Sequence, residues 1–213
     1  MKIRKLSEVK KTHPNFKPGW RWRRGKLENP KFGSIEQIAV CKDDETPAYD
    51  SYQISEVGSA IIVPYYRKGN TLFIGLIDEL RSVVKDKNGN QGSMVLRGVP
   101  RGFKNQDETG EEAAIRELGE ETRAVVKKLT FIGMINPNTS FYTTSGIPAF
   151  KAEVDPEKIS ELKPDAGEKI IKSQYYPIEE TLKEIRGNIS KKETNCGMSL
   201  SALFLFFVSE NLI

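Results

Sequence analysis

The chain has 213 residues, 38% of them hydrophobic and 29% charged, which is typical of a soluble protein with one domain or one domain plus an extension. Cys41 and Cys196 are far apart, so neither a disulfide framework nor a zinc site is expected. The strongest apolar run, at 202–208, is shorter than the roughly 20 residues that a membrane span needs. Because residues 1–11 lack the apolar core of a secretory signal, we expect a cytoplasmic protein.

Charge is distributed unevenly, although the net charge of the whole chain is only +4. Residues 1–26 contain ten Lys or Arg residues and one acidic residue, so this stretch carries +9 and the remainder carries −5. No hydrophobic periodicity is sustained within it. We therefore predict a basic arm or dimerisation segment at 1–56, containing a strand at 35–41 and a loop at 43–50, and a globular domain at 57–213.

Apolar runs separated by turn residues predict a sheet in the globular domain. The segments expected to form its strands are 59–66, 71–77, 93–99, 129–135, 148–154 and 170–176. The first two flank a Gly-Asn pair, which is typical of a β-hairpin. Two polar segments, 85–92 and 155–169, are interpreted as loops.

Two helices are predicted after the last strand. Pro177 suits the first turn of one helix and Gly187 suits its end. A second helix within 197–213 should be largely buried through apolar residues at helical spacing, namely Leu200, Leu203, Phe204 and Phe207. The order of strands, helix, strands and two helices differs from a doubly wound sheet and predicts an α+β fold with both parallel and antiparallel strand pairs.

The most informative segment is 102–124, with the sequence GFKNQDETGEEAAIRELGEETRA. Thr109 and Glu112 have the spacing of a capping box, which predicts a helix that begins near Gly110. Good helix formers follow to about Thr122. An apolar stripe should fix one side of this helix to the sheet, and it consists of Ala114, Ile115 and Leu118.

Three carboxylates, those of Glu117, Glu120 and Glu121, share another face of the predicted helix. Like charges at these spacings repel by roughly a few tenths of a kcal/mol per pair, so a positive group is expected among them. Arg116 is one candidate, because it lies one turn from Glu120 and can also reach Glu108. A divalent cation is another, and oxygen ligands without His or Cys suit Mg²⁺ or Mn²⁺. The alternative is an acidic face exposed to solvent.

The wider segment resembles the Nudix box, whose pattern is G-x5-E-x7-R-E-U-x-E-E-x-G-U, with U an aliphatic residue. The matching residues are Gly102, Glu108, Arg116, Glu117, Leu118, Glu120 and Glu121, with Ala124 at the last small apolar position. One position departs from the pattern, because Arg123 stands where the family usually has Gly. We expect Arg123 to let the helix continue before the chain turns. The intact carboxylates imply an active enzyme.

The resemblance implies a Nudix fold, which is an α/β/α sandwich around a mixed sheet, and hydrolysis of pyrophosphate bonds with Mg²⁺ or possibly Mn²⁺ as the cofactor. The implied metal ligands, which are also the implied catalytic acids, are Glu117, Glu120 and Glu121. The backbone carbonyl of Gly102 is a further implied ligand. Glu108 and Arg116 are expected to form a structural ion pair that fixes the loop against the helix.

A looser resemblance runs from about residue 58 to the C-terminus and points to the ADP-ribose pyrophosphatase branch of the family. Arg81 matches an arginine of that branch and is expected to contact a phosphate, with a surface ion pair as the alternative. The segment 94–103 lies where those enzymes have the sequence ELPAG. Arg101 belongs to this segment and is a second candidate for substrate binding. Glu168 occupies the place of a catalytic glutamate, with a solvated loop acid as the alternative.

Substrate choice rests on the loop after the box, where Asn136 is a candidate contact. Tyr142 lies 18 residues beyond Ala124, a spacing seen in dinucleoside polyphosphate hydrolases, whereas the proline marker of the ADP-ribose group is shifted here to Pro137. The leading hypothesis is hydrolysis of ADP-ribose or a related nucleotide sugar. Dinucleoside polyphosphates or RNA 5′ ends are the alternative substrates, and a non-catalytic nucleotide sensor is a third possibility.

The basic arm contains aromatic residues between arginines, a composition that suits either of two partners. These residues are Trp20, Arg21, Trp22, Arg23 and Arg24. They are suited to stacking on bases and pairing with phosphates of single-stranded nucleic acid. The favoured interpretation is a homodimer interface, because Trp and Arg are enriched at protein interfaces and related enzymes dimerise through N-terminal strands. His13, the single histidine, is interpreted as a surface residue.

Overall fold

A computed structural model describes most of the chain, in nine ranges. They are 2–17, 27–29, 33–56, 58–85, 91–137, 142–143, 146–163, 169–191 and 196–213. The chain divides into two compact units, Met1–Gly58 with Asn136–Ser145, and Ser59–Ile135 with Gly146–Ile213. None of the helices in the described ranges is long and apolar enough to cross a bilayer.

The first unit contains one sheet and one helix. Its elements are β1 (Lys2–Lys5), α1 (Leu6–Thr12), β2 (Leu27–Asn29), β3 (Gly33–Cys41), β4 (Pro47–Glu56) and β10 (Tyr142–Thr143). The strand order is β1-β3-β4-β10, with β2 also paired to β3, and β10 runs parallel to β4. The strand predicted at 35–41 is confirmed, whereas the loop predicted at 43–50 is wrong beyond residue 46, because β4 begins at Pro47.

The basic stretch contains regular structure that its composition did not indicate. Leu6 and Val9, which are 8% and 4% exposed, lie one turn apart on α1 and pack against Ala39 and Cys41 of β3. Two buried residues are too few to give a detectable periodicity in the sequence, and the helix is stabilised by this tertiary contact.

The second unit contains a mixed sheet and three helices. Its elements are β5 (Ser59–Lys68), β6 (Thr71–Lys85), β7 (Gln91–Gly98), β8 (Arg101–Phe103), α2 (Gly110–Thr122), β9 (Ala124–Ile135), β11 (Ile147–Ile159), β12 (Ile170–Pro177), α3 (Ile178–Lys191) and α4 (Gly197–Ser209). The strand order is β12-β6-β5-β11-β9, with β7 paired to β6 and β8 to β5. Only β5 and β11 pair in parallel among these strands as described.

The two faces of this sheet are covered by different helices. Along β5, Ile61 and Val63 pack with α4 and with partly buried residues of α3, whereas Ile62 packs with Ala114 and Leu118 of α2. This alternation follows from the two-residue period of a strand. It produces the α/β/α layering and confirms the predicted α+β Nudix fold.

Several boundaries differ from those predicted, because strand pairing extends the strands. The β5–β6 hairpin is confirmed, and Gly69 adopts a positive φ of 59° in its turn. By contrast, β9 begins at residue 124 and β11 continues to residue 159, since these ends pair with each other through bulges. The loop predicted at 155–169 is therefore wrong in its first five residues.

The two C-terminal helices also depart from the expected pattern. Gly187 lies inside α3, because the helix continues to Lys191. In α4 the buried stripe contains Leu203, Phe206 and Phe207, and Phe206 is fully buried. Phe204, which was expected to be buried, is 58% exposed, because its position in the helical repeat directs it away from the sheet.

Candidate active site

Helix α2 is fixed at its first turn by the predicted capping box. The backbone N–H of Glu112 donates to Thr109 Oγ1 at 3.1 Å, and the N–H of Thr109 donates to the Glu112 carboxylate at 2.8 Å. These bonds satisfy backbone donors that the helix itself leaves unpaired. Ala113, Ala114 and Leu118 are fully buried against the sheet, and burial of a leucine side chain contributes about 2–3 kcal/mol.

The end of α2 differs from the prediction that the helix would run on. Arg123 itself adopts the left-handed conformation, with φ 59° and ψ 20°, and its N–H donates to Gly119 O at 3.0 Å. Arg123 therefore makes the turn that glycine usually makes at this position. The turn is held by the chain beyond it, because Ser160 N–H donates to Arg123 O at 2.8 Å. This contact is made by the extension of β11, which the sequence pattern did not reveal.

The acidic face of α2 is directed toward the rest of the domain and not into solvent. Glu117 and Glu121 are only 4% and 5% exposed. Glu121 accepts a hydrogen bond from the backbone N–H of Arg101 in β8 at 2.9 Å. A Cβ atom at Gly102 would overlap the Glu117 carboxylate, so the backbone of β8 lies directly against that side chain. A side chain at this position would therefore displace the Glu117 carboxylate.

Arg116 lies at the centre of this acidic cluster. Its guanidinium donates to Glu108 through Nε at 2.9 Å and through Nη2 at 3.0 Å. Nη1 donates to both Glu117 and Glu120 at 2.8 Å, and Nη2 also donates to the Phe103 carbonyl at 2.7 Å. One fixed cation thus bridges the loop before α2 and two carboxylates on the helix itself.

This arrangement favours the charged forms of Glu108 and Arg116. Hydrogen bonds from Arg116 hold the pKa of Glu108 below its usual range, assisted by the Asn105 N–H, which donates to Glu108 at 2.8 Å. The same carboxylates raise the pKa of Arg116, with Glu108 the strongest of them. Charge-assisted bonds of this kind are stronger than neutral ones. The arginine therefore stays charged and the loop stays attached to the helix.

The acidic residues supply the oxygen donors that a hard divalent cation prefers, but their side chains do not converge on a common point. Within the ranges that the structure describes, no three His, Cys, Asp or Glu side chains are grouped to hold a metal. The physical reason is that Arg116 draws Glu117 and Glu120 toward itself, while Glu121 turns to the Arg101 amide. Carboxylate oxygens next to a glycine backbone are suitable donors for Mg²⁺ or Mn²⁺.

Arg101, one of the two arginines predicted to bind substrate, lies next to this cluster, because its backbone N–H donates to Glu121. Arg81 and Arg101 both line a small cleft beside β7. Arg81 pairs with Glu79 at 2.6 Å, which matches the ion pair given as its alternative role, and its side chain remains 38% exposed. The Arg101 side chain extends to Cys196, with 3.4 Å between Nη1 and Sγ.

Other predicted residues are placed elsewhere or lie outside the description. Asn136 is exposed and belongs to the first unit, as does Tyr142 in β10. His13 is partly exposed and lies 3.0 Å from Thr12 Oγ1, in keeping with its interpretation as a surface residue. The remaining candidates lie outside the described residues, and they are Glu168, Trp20, Arg21, Trp22, Arg23 and Arg24.

Sequence reasoning missed the backbone and thiol groups around the cluster. The Phe103 carbonyl and the Asn105 N–H complete the Arg116–Glu108 contacts, but backbone groups leave no signal in residue identity. Cys196 was treated only as an unpaired cysteine. Burial opposes ionisation of its thiol, yet the charge of Arg101 and hydrogen bonds from Ser199 lower its pKa on balance. Its distance of 95 residues from Arg101 made this contact invisible to motif spacing.

Comparison with known proteins identifies the family. The NUDIX domain model matches residues 61–195, which include α2 and the cluster around Arg116. The chain therefore belongs to the Nudix hydrolase family. No match to this chain was found among the curated proteins.

Solved structures resemble this chain at low sequence identity, and the first of them shares its fold. One, titled an ADP compounds hydrolase, is 14% identical with a TM-score of 0.59, and the match covers 91% of this chain and 100% of the other. A NUDIX hydrolase from Nitrosomonas europaea is 16% identical, with a TM-score of 0.48 and coverages of 71% and 90%. The NUDIX domain of Shewanella oneidensis NrtR, complexed with ADP ribose, is 15% identical, with a TM-score of 0.43 and coverages of 81% and 94%.

Proposed function

We propose that this Nudix hydrolase uses water to cleave the pyrophosphate bond of a nucleoside diphosphate derivative, with ADP-ribose as the first candidate. AMP and ribose 5-phosphate would then be the products. The observation that carries the proposal is the acidic face of α2, which is buried against Gly102 and held by Arg116. A solvated surface helix has no reason to bury two of three adjacent carboxylates.

Three carboxylates and one carbonyl would hold the metal ion in this proposal. They are those of Glu117, Glu120 and Glu121 and the backbone carbonyl of Gly102. A bound Mg²⁺ or Mn²⁺ supplies charge neutralisation for the diphosphate and a water of lowered pKa. Because a single Arg116 nitrogen contacts Glu117 and Glu120, it holds the two carboxylates close together before metal binding. The Arg101 amide orients Glu121 in the same way.

Substrate phosphates would bind beside the cluster, where Arg81 and Arg101 line a common cleft. Arg81 is partly exposed, and among the described residues it pairs with Glu79 while its Nε has no partner, so it has guanidinium donors left for a phosphate. Positioning and charge stabilisation are the main requirements for phosphoryl chemistry. Glu168 stays the proposed general base, and Asn136 and Tyr142 stay proposed substrate contacts.

ADP-ribose is placed first because the looser sequence resemblance runs through the ADP-ribose pyrophosphatase branch. The solved ADP compounds hydrolase shares the fold, which makes such compounds sensible first substrates. The position of Tyr142 favours dinucleoside polyphosphates or RNA 5′ ends instead. A homodimer, formed through the basic N-terminal arm, is also proposed, as is a cytoplasmic location.

The metal-binding role is tested with Glu121→Gln, using Glu111→Gln as the matched control. Glu111 is an exposed acid on the same helix that takes no part in the cluster. With Mg²⁺, kcat should fall by at least about a hundredfold in the first variant and stay near the wild-type value in the second. Near-normal turnover by a folded Glu121→Gln protein would overturn the assignment.

Gly102→Ala provides a second test, because the added methyl group displaces only the end of the Glu117 side chain. Activity and Mg²⁺ affinity should fall much more than the melting temperature does. Equal losses in activity and stability would indicate that Gly102 is needed only for packing.

Substrate choice is tested with ADP-ribose, diadenosine tetraphosphate and triphosphorylated RNA, each with Mg²⁺ and with Mn²⁺ and with products identified. We expect ADP-ribose to have the highest kcat/KM. A tenfold preference for either other substrate supports the alternative function. Binding of ADP-ribose without any product would indicate a nucleotide sensor.

A further inference from the structure

The last turn of α2 contains a glycine that helix propensity does not explain. Glycine is disfavoured relative to alanine inside a helix, because its backbone loses more conformational freedom on folding. Gly119 is nevertheless buried in α2, directly before two of the acidic residues. A Cβ atom at Gly119 would lie 2.8 Å from Leu162 Cδ1 and 3.2 Å from Ser160 Oγ. The space left by the missing side chain is therefore occupied by segment 160–162, which follows β11.

The other glycines in the described helices have no comparable contact. A Cβ atom would meet nothing within 4 Å at Gly187 in α3 or at Gly197 in α4. At Gly110, where α2 begins, the nearest side-chain atom would be 3.1 Å away. Among the described helices, only Gly119 would bring a Cβ atom within 3.0 Å of a side chain from another segment.

The same segment also contacts the residue that ends α2. The Ser160 N–H donates to Arg123 O at 2.8 Å, and Arg123 Nε donates to Ser160 O at 3.3 Å. Within the segment, the Leu162 N–H donates to Ser160 Oγ at 3.2 Å, which fixes one contact relative to the other. Segment 160–162 therefore holds the last turn of α2 at both of its ends.

The position of this turn matters because its acidic side chains must reorient before they can bind a metal together. Glu120 and Glu121 contact different partners, so their carboxylates do not converge on one point. They can converge around a cation only if the backbone that carries them stays in place. Leu118, which is fully buried, fixes the side of the turn that faces the sheet. Segment 160–162 fixes the turn at Gly119, on another side of the helix.

We propose that segment 160–162 positions the last turn of α2 for metal binding, through Leu162 against Gly119 and Ser160 against Arg123. Leu162 and Ser160 are positioning residues, because they act through the backbone of α2. The proposal rests on the metal site that is proposed above for this helix. It gives a part of the chain outside the segment 102–124 a role in holding the acids of that segment.

The test uses two substitutions, each with a matched control. Gly119→Ala displaces the Leu162 side chain from α2, and Leu162→Ala removes that side chain. Gly187→Ala is the control for the first, because it also adds a methyl group inside a helix but meets nothing there. Leu212→Ala is the control for the second, because Leu212 is 43% exposed and Leu162 is 45% exposed.

Two measurements made without turnover distinguish positioning from general stability. Mn²⁺ affinity is measured without substrate from the EPR signal of the free ion, and amide hydrogen exchange is measured by NMR in EDTA. Gly119→Ala and Leu162→Ala should each weaken Mn²⁺ binding about tenfold, the lower end of the range for groups that orient metal ligands. The Arg123 amide, which donates to Gly119 O at 3.0 Å, should exchange faster in both variants. Both control variants should match wild type in both measurements.

The double variant shows whether the two substitutions break the same contact. Gly119→Ala combined with Leu162→Ala should bind Mn²⁺ about as weakly as either single variant. Losses that multiply to about a hundredfold would overturn the proposal, because independent effects are additive in free energy. Wild-type Mn²⁺ affinity in both single variants would also overturn it.

Glu121→Gln separates this proposal from the metal site on which it rests. If Glu121→Gln binds Mn²⁺ as tightly as wild type, the proposed metal site is itself wrong. If Glu121→Gln loses Mn²⁺ binding while Gly119→Ala and Leu162→Ala keep it, only the role of segment 160–162 is wrong.

Discussion

Replacing Arg116 with alanine should strongly destabilise the second unit. Arg116 makes five hydrogen bonds, two to Glu108 and one each to Glu117, Glu120 and the Phe103 carbonyl. Its side chain is 23% exposed, and that of Glu117 is 5% exposed. Removing one partner of a buried ion pair costs about 3–5 kcal/mol. Partial solvent screening here reduces the expected cost to about 2–4 kcal/mol.

The assay is thermal unfolding followed by far-UV circular dichroism in EDTA. For a chain of this size, each kcal/mol lowers Tm by about 2–4 °C, so Arg116→Ala should melt about 4–16 °C below wild type. Arg67→Ala is the control, because Arg67 is half-exposed and forms one surface pair with Glu210, which is worth about 0–1 kcal/mol. Adding Mg²⁺ should raise Tm in both variants, because both keep the metal-binding carboxylates, and it should do so by more in Arg116→Ala, where these carboxylates have lost their cation.

Two results would refute this reasoning. If Arg116→Ala and Arg67→Ala melt together, the acidic cluster does not need its central cation. If Mg²⁺ raises Tm by the same amount in both variants, the carboxylates released from Arg116 do not form the metal site.

Two further predictions concern the ends of the same motif. Arg123→Gly should raise the free energy of unfolding by about 0.5–1 kcal/mol in urea titration. A non-glycine residue in the left-handed conformation costs about 1–2 kcal/mol, and the higher entropy of glycine in the unfolded chain offsets part of the gain. Arg123→Ala should show no gain, and a gain with alanine would mean that the backbone conformation is not the cause. Glu108→Gln should make the stability of the protein less sensitive to acid. Since the folded-state pKa of Glu108 is lowered, its stabilising effect is present above the ordinary glutamate value of about 4.3 and disappears as pH falls through the folded-state value. The Tm gap between wild type and this variant should therefore narrow as pH falls below about 5 and through the lowered folded-state pKa of Glu108, and a constant gap would contradict the ion pair as its cause.

The sequence was sufficient to predict the structure where the contacts that determine it join residues close to each other in the chain. Thr109 and Glu112 are three residues apart, so the start of α2 could be predicted from their identities alone. The reach of Arg116 to Glu120 follows equally from helix geometry. Most of the structure of the segment 102–124 could therefore be predicted from its own residues.

Features that depend on distant pairing could not be predicted in this way. The left-handed turn at Arg123 is held by Ser160, and the early start of β9 depends on pairing with β11. The choice of Phe206 over Phe204 as the buried residue depends on the rotation of α4 about its axis, which the sheet determines. A uniformly apolar helix gives little information about that rotation.

The segment from Gly98 to Gly102 contacts α4 on one side and α2 on the other. On one side, Ser199 Oγ accepts the Val99 N–H at 3.1 Å, and no space remains for a side chain on Gly98. On the other side, Glu121 accepts the Arg101 N–H, and Gly102 abuts Glu117. A shift of α4 would therefore displace the backbone segment that also contacts Glu117 and Glu121 of α2.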